Sequence, residues 1–121
     1  MADFDFTAQP NTQSCRLIDF EKAEVVPGIL NGTFFLVVSG TKPCLNMQVT
    51  LSPLVYIQCP EYWEIEVTGC LPGGICLPAI SPYNESILLS GITGSIGIEV
   101  VGANKRQKFK VAGGCKGAVV K

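Results

Sequence analysis

Residues 45–51 read Leu45-Asn46-Met47-Gln48-Val49-Thr50-Leu51, with an apolar side chain at every odd position and a polar one between. In an extended chain successive side chains point to opposite faces, so this period of two predicts a strand with one face buried and one in water. The same pattern returns in residues 62–68, where Trp63, Ile65 and Val67 oppose Glu64, Glu66 and Thr68. Residues 34–38 are apolar throughout and end at Ser39-Gly40, which fits a central strand. Residues 87–92 and 96–101 are two further runs, and Thr93-Gly94-Ser95 between them fits a hairpin turn. Residues 16–25 are less regular but read as strand, with Ile18 and Phe20 alternating against charge before Pro27-Gly28.

The two ends of the chain form a complementary pair. Asp3, Asp5 and Thr7 alternate with Phe4, Phe6 and Ala8, while Arg106, Lys108 and Lys110 alternate with Gln107, Phe109 and Val111. Each is an amphipathic strand, one acidic on its outer face and the other basic. Side by side, Phe4, Phe6 and Phe109 would join one core and the opposite charges would face each other. About eight short strands with Gly/Pro turns and almost no helical periodicity predict an all-β fold. The expected form is an antiparallel β-sandwich, jelly-roll or immunoglobulin-like, filling residues 1–121 as one domain. Residues 112–121 are expected as a flexible basic segment. Val38-Ser39-Gly40, Glu66-Val67-Thr68-Gly69 and Glu99-Val100-Val101-Gly102 echo one another, and the expected reason is a backbone turn at each glycine.

Composition narrows the function classes. Of 121 residues 47% are hydrophobic and only 16% charged, with a mean hydropathy of +0.35, which excludes a disordered chain or a highly charged tail protein. A domain this small leaves about a third of its surface uncovered, so apolar surface is expected to meet a partner. The net charge of −1 hides an asymmetry: residues 105–121 carry six bases and no acid, and the rest carries a balance of −7. No overall basic excess favours nucleic acid. Apolar stretches are broken by Pro72, Gly73, Gly74, Pro78 and Pro82, so no transmembrane helix is expected. The first residues lack the basic and apolar runs of a secretory signal. That suggests cytoplasmic synthesis, with incorporation into a virion, coat or extracellular assembly left open.

Chemistry is constrained by what is missing. Without histidine, Ser-His-Asp and Cys-His arrangements cannot be built. Glu64 and Glu66 share one strand face, which could serve a carboxylate pair but reads better as a solvated surface or as a contact with Arg106, Lys108 and Lys110 of a neighbouring subunit. Six cysteines without a C-x-x-C pair argue against zinc, and buried thiols or disulfides both remain open. Cys115, in Gly113-Gly114-Cys115-Lys116-Gly117, reads as exposed beside positive charge, so Cys15 and Cys115 are candidates for an intersubunit disulfide. Residues 71–83 carry no charge and three prolines, with Leu71, Ile75, Leu77 and Ile80 where polar turn residues are expected. This stretch is read either as a plug over the sandwich end or as a subunit contact.

These features favour a non-enzymatic structural subunit that associates with itself, with no catalytic residues, cofactor or metal. Self-association is assigned to Phe4, Phe6, Phe109, Leu71, Ile75, Leu77 and Ile80, and charge complementarity to Asp3, Asp5, Glu64, Glu66, Arg106, Lys108 and Lys110. Exchange of residues 1–8 between subunits is one route. The alternative is a monomeric ligand-binding module, for carbohydrate among other ligands, using Tyr62, Tyr83 and residues 71–83.

Overall fold

A computed structural model of the chain describes residues 13–115. Within them the fold is all-β, with eight strands: β1 (Gln13–Leu17), β2 (Lys22–Pro27), β3 (Phe34–Cys44), β4 (Gln48–Pro53), β5 (Tyr62–Pro72), β6 (Pro78–Leu88), β7 (Gly97–Val101) and β8 (Arg106–Lys110). They form two sheets, one of β1, β4, β5, β7 and β8 and one in the order β2-β3-β6. The expected sandwich is therefore found. The alternation read at β4 and β5 buries Val49 and Leu51, and Ile65 and Val67, and the runs read at β7 and β3 add Ile98, Val100, Leu36 and Val38 to the same core.

β5 organises the larger sheet. β4 lies along one edge of it, and the other edge is shared: β1 pairs residues 68–72 and β7 pairs residues 62–66. The β5–β7 pairing is parallel, unlike the wholly antiparallel sheets expected, while every other pairing is antiparallel. The reason is the path of residues 89–96. They do not close a hairpin but carry the chain from β6 in the small sheet to β7 in the large one. Thr93 is buried there, its hydroxyl donating to the Leu89 carbonyl at 2.8 Å.

Residues 16–25 are likewise two strands, not one. The Ile18 amide still donates to Val67 in the large sheet, whereas the Glu21 amide donates to Ser39 in the small one. Ile18 and Phe20 keep their inward alternation through this change of sheet and both are buried. The strand expected at residues 45–51 starts at Gln48, because Leu45 to Met47 form a turn closed by the Met47 amide on the Cys44 carbonyl at 3.1 Å.

The three echoed glycines, Gly40, Gly69 and Gly102, are not turn residues, and none has positive φ. Gly40 and Gly69 lie inside strands. Each leaves room for a neighbouring side chain where a Cβ would collide: Tyr83 over Gly40, Met47 and Ile18 over Gly69, and Phe20 over Gly102. Close approach, not backbone freedom, is what these positions require.

Candidate functional site

The stretch 71–83 is neither a plug nor one loop. Leu71 belongs to β5, residues 73–77 form a tight connection, and residues 78–83 open β6, the outer strand of the small sheet. Its apolar residues face solvent: Ile75 is 68% exposed, Leu77 49% and Ile80 80%. Leu71 packs against the core, as does Tyr83 at the other end of the stretch. Leu45, which the sequence reading placed on a buried face, is 53% exposed beside them.

This end of the sandwich is held by covalent and polar links. Cys44 and Cys76 form a disulfide between the end of β3 and the β5–β6 connection. The Asn46 side chain closes the gap, donating to the Ile75 carbonyl at 2.6 Å and accepting from the Leu77 amide at 3.0 Å. The Leu45 amide donates to the Leu77 carbonyl at 2.8 Å. Leu45, Ile75 and Leu77 are thus fixed on one rigid apolar end. A rigid patch loses little conformational entropy on docking, the condition under which exposed apolar side chains bind well.

The opposite end carries four more exposed apolar residues, Ile29, Leu30, Val55 and Ile57. A signal for them was present, since each lies in a Pro/Gly- or Pro-bounded stretch with no polar alternation. The disulfide Cys59–Cys115 joins the β4–β5 connection to the segment after β8, and the Cys115 amide donates to the Thr93 carbonyl at 2.9 Å. Residues 112–115, expected to begin a flexible segment, are fixed by these links; residues 116–121 lie outside the described residues.

The intersubunit bridge expected from Cys15 and Cys115 is corrected by the same pairing. Cys115 is bonded to Cys59, and Cys15 is bonded to Cys70 across the β1–β5 ladder, where the two residues are directly opposed. Spacing along the chain gave no hint of this, because the partners are 55 and 56 residues apart. Among the described residues no group of three or more acids or cysteines converges on a metal position.

The charged outer face of the large sheet also differs from the expectation. Arg106 lies 3.6 Å from Glu64 and 3.7 Å from Glu99 within its own chain, bridging two carboxylates that the parallel register sets side by side. The Lys108 ammonium sits 4.8 Å above the Tyr62 ring. Glu66 and Lys110 enter no ion pair among the described residues. The complement proposed between subunits is therefore met in part inside one subunit, by Arg106 with Glu64. Asp3, Asp5, Phe4 and Phe6 lie outside the described residues, and Phe109 packs against the core.

Tyr83 is not a stacking platform. It is buried across Gly40, and its hydroxyl donates to the Asp19 carbonyl at 2.7 Å, tying β6 to the crossing between the sheets. Burial, with the nearby carboxylates of Glu21 and Asp19, pushes its pKa up to about 12. Asp19 in turn accepts the Asn104 side-chain amide on both oxygens, at 2.7 and 2.9 Å. Beside this anchor runs a cleft of about 560 Å³ whose charged lining residues are Arg16, Asp19, Glu21 and Lys42, with Ile80 on its rim. Lys42 is turned across it to donate to the Met47 carbonyl at 2.8 Å. No family model matches the chain, and comparisons with curated proteins and with solved structures return no match.

Proposed function

We propose that the protein is a non-enzymatic structural subunit that associates with itself, as a coat, fibre or virion component, in an oxidising setting. The observation that carries this reading is the rigid apolar end formed by Leu45, Ile75 and Leu77 and continued by Ile80. These side chains are held outward by the Cys44–Cys76 disulfide and by Asn46, although burying them would stabilise an isolated domain by roughly 1.5–3 kcal/mol each. Three disulfides support the oxidising setting, since such bonds persist outside reducing compartments.

The test is the native mass by light scattering over a range of concentrations, for the unaltered chain and for Ile75→Ser/Leu77→Ser. The unaltered chain is expected to exceed the monomer mass, and the variant to shift toward it without loss of thermal stability. A monomer at every concentration would refute the reading. A second reading, a monomeric ligand-binding module, is supported by the cleft beside Arg16 and Lys42, whose volume suits a small ligand. It predicts that same monomer. Its carbohydrate form loses support, because Tyr83 is buried and Tyr62 is covered by Lys108.

A further inference from the structure

β8 is the last strand of the large sheet, and its only partner among the described residues is β7. The Val111 amide donates to the Ile96 carbonyl, and the Lys105 carbonyl accepts from the Gly102 amide. Odd-numbered positions therefore face β7, and the backbone N–H and C=O groups of Arg106, Lys108 and Lys110 face outward. Such an edge can accept another strand. The side chains of the same three residues lie on the outer face of the sheet, where Arg106 meets Glu64 and Glu99, while Phe109 turns to the core. A strand that fits must bring apolar residues to the inner face and acids to the outer one. In the sequence, Asp3-Phe4-Asp5-Phe6-Thr7-Ala8 has that alternation.

The register decides which copy can supply it. Arg106 lies opposite Val101, which lies opposite Glu66 of β5; Lys110 reaches the level of Tyr62 in the same way. Gln13 lies opposite Pro72. From the level of Gln13 to the near end of β8 is six positions along β5, about 20 Å at roughly 3.3 Å per residue. A strand added outside β8 lies two strand spacings beyond β1, about 10 Å to the side. With Asp3 opposite Lys110 and Asp5 opposite Lys108, Ala8 falls opposite Lys105, one position nearer to Gln13 than Arg106, so it would have to cover about 19 Å, whereas the five residue steps from Gln13 span at most about 18 Å when fully extended. Reversing the segment puts Ala8 at the far end and widens the gap.

We infer that residues 3–8 of one copy add as a strand to the free edge of β8 in a second copy, with Phe4 and Phe6 continuing the core beside Phe109. Asp3 and Asp5 then face Lys108 and Lys110, since Arg106 already has two carboxylates. This deepens the proposed self-association and rests on it: the partner is a second copy, and the contact is made by main-chain hydrogen bonds with complementary charge. Head-to-tail exchange of this kind closes into a ring or continues as a filament, according to the rotation between copies.

The experiment mixes chains of natural and heavy-nitrogen composition at assembling concentration and couples carboxylates to lysines with a zero-length carbodiimide. Linked peptides are then read by mass spectrometry. Links between Asp3 or Asp5 and Lys108 or Lys110 that join one light and one heavy peptide are expected. Links found only between peptides of the same isotope, or no links between these segments in an assembled sample, would overturn the exchange and leave self-association standing. A sample monomeric at every concentration would overturn both. Asp3→Lys/Asp5→Lys is expected to weaken assembly roughly tenfold, and Lys108→Glu/Lys110→Glu in the same chain to restore it. Failure of that restoration with the folded state intact would count against the pairing, while the cross-links on the unaltered chain stand independently of how the variants fold.

Discussion

Two of the outer strands, β6 and β8, show opposite ways of leaving a sheet edge open. On β6 the Leu89 amide donates to Phe34, which sets the odd positions toward β3 and turns the position of Pro82 outward, where no N–H is available. Its exposed side chains include Ile80 and Leu88, and the connection leading into it carries Ile75 and Leu77. On β8 no proline interrupts the edge, and three of its four exposed side chains are cationic. β6 is thus built to resist an added strand while presenting apolar side chains, and β8 presents its backbone while its lysines repel a like copy of itself.

The largest effect is expected when the β6 side loses its covalent tie. Cys44→Ser/Cys76→Ser opens a loop whose ends are 32 residues apart and is expected to cost roughly 4 kcal/mol from loop-closure entropy. Chemical denaturation would measure this, and loss of the apolar platform should lower the native mass as well. Retained stability would mean that the hydrogen bonds of Asn46 and the Leu45 amide hold this end without the disulfide.

A smaller effect comes from the anchor that joins β6 to the crossing between sheets. Tyr83→Phe removes the donor to the Asp19 carbonyl and is expected to cost about 1–3 kcal/mol by leaving that carbonyl unpaired. Tyr83 also makes stability depend on alkaline pH. Its folded pKa of about 12 lies above the ordinary tyrosine value of about 10, so the folded state holds the proton longer than the unfolded one. Its contribution is whole below pH 10 and falls as pH rises toward 12, by roughly 2 kcal/mol. Unfolding midpoints across pH 9–12 should show this decline in the unaltered chain and a shallower one in Tyr83→Phe.

The smallest effect is expected on the β8 side. Arg106→Gln removes contacts to Glu64 and Glu99, but the arginine is 57% exposed, so the loss should be about 0–1 kcal/mol and should shrink with added salt. A loss several times larger would show that the two adjacent carboxylates of β5 and β7 depend on this one cation.

Which parts of this were legible follows from the range over which each force acts. Alternation at Val49/Leu51 and Ile65/Val67 is a property of neighbouring residues, so it identified those core faces directly. Leu45 broke the same pattern because Asn46 bonds to residues some thirty positions away and makes a turn there. Residues 78–83, which open β6, read as a connection because Pro78 and Pro82 are turn residues in most settings. On an outer strand Pro82 occupies a position whose N–H would have faced solvent.

The sequence by itself determined that this chain is a two-sided β structure with a shortage of charge in its middle and a basic end, since composition and a period of two depend only on residue order. The tertiary structure decided how the six cysteines pair, that β5 and β7 run parallel, and that Ile75, Leu77 and Ile80 stand in solvent instead of closing the sandwich. Those outcomes depend on which distant segments come to lie side by side. Residue order sets the faces of each strand, but only packing against another sheet decides which face is left without one.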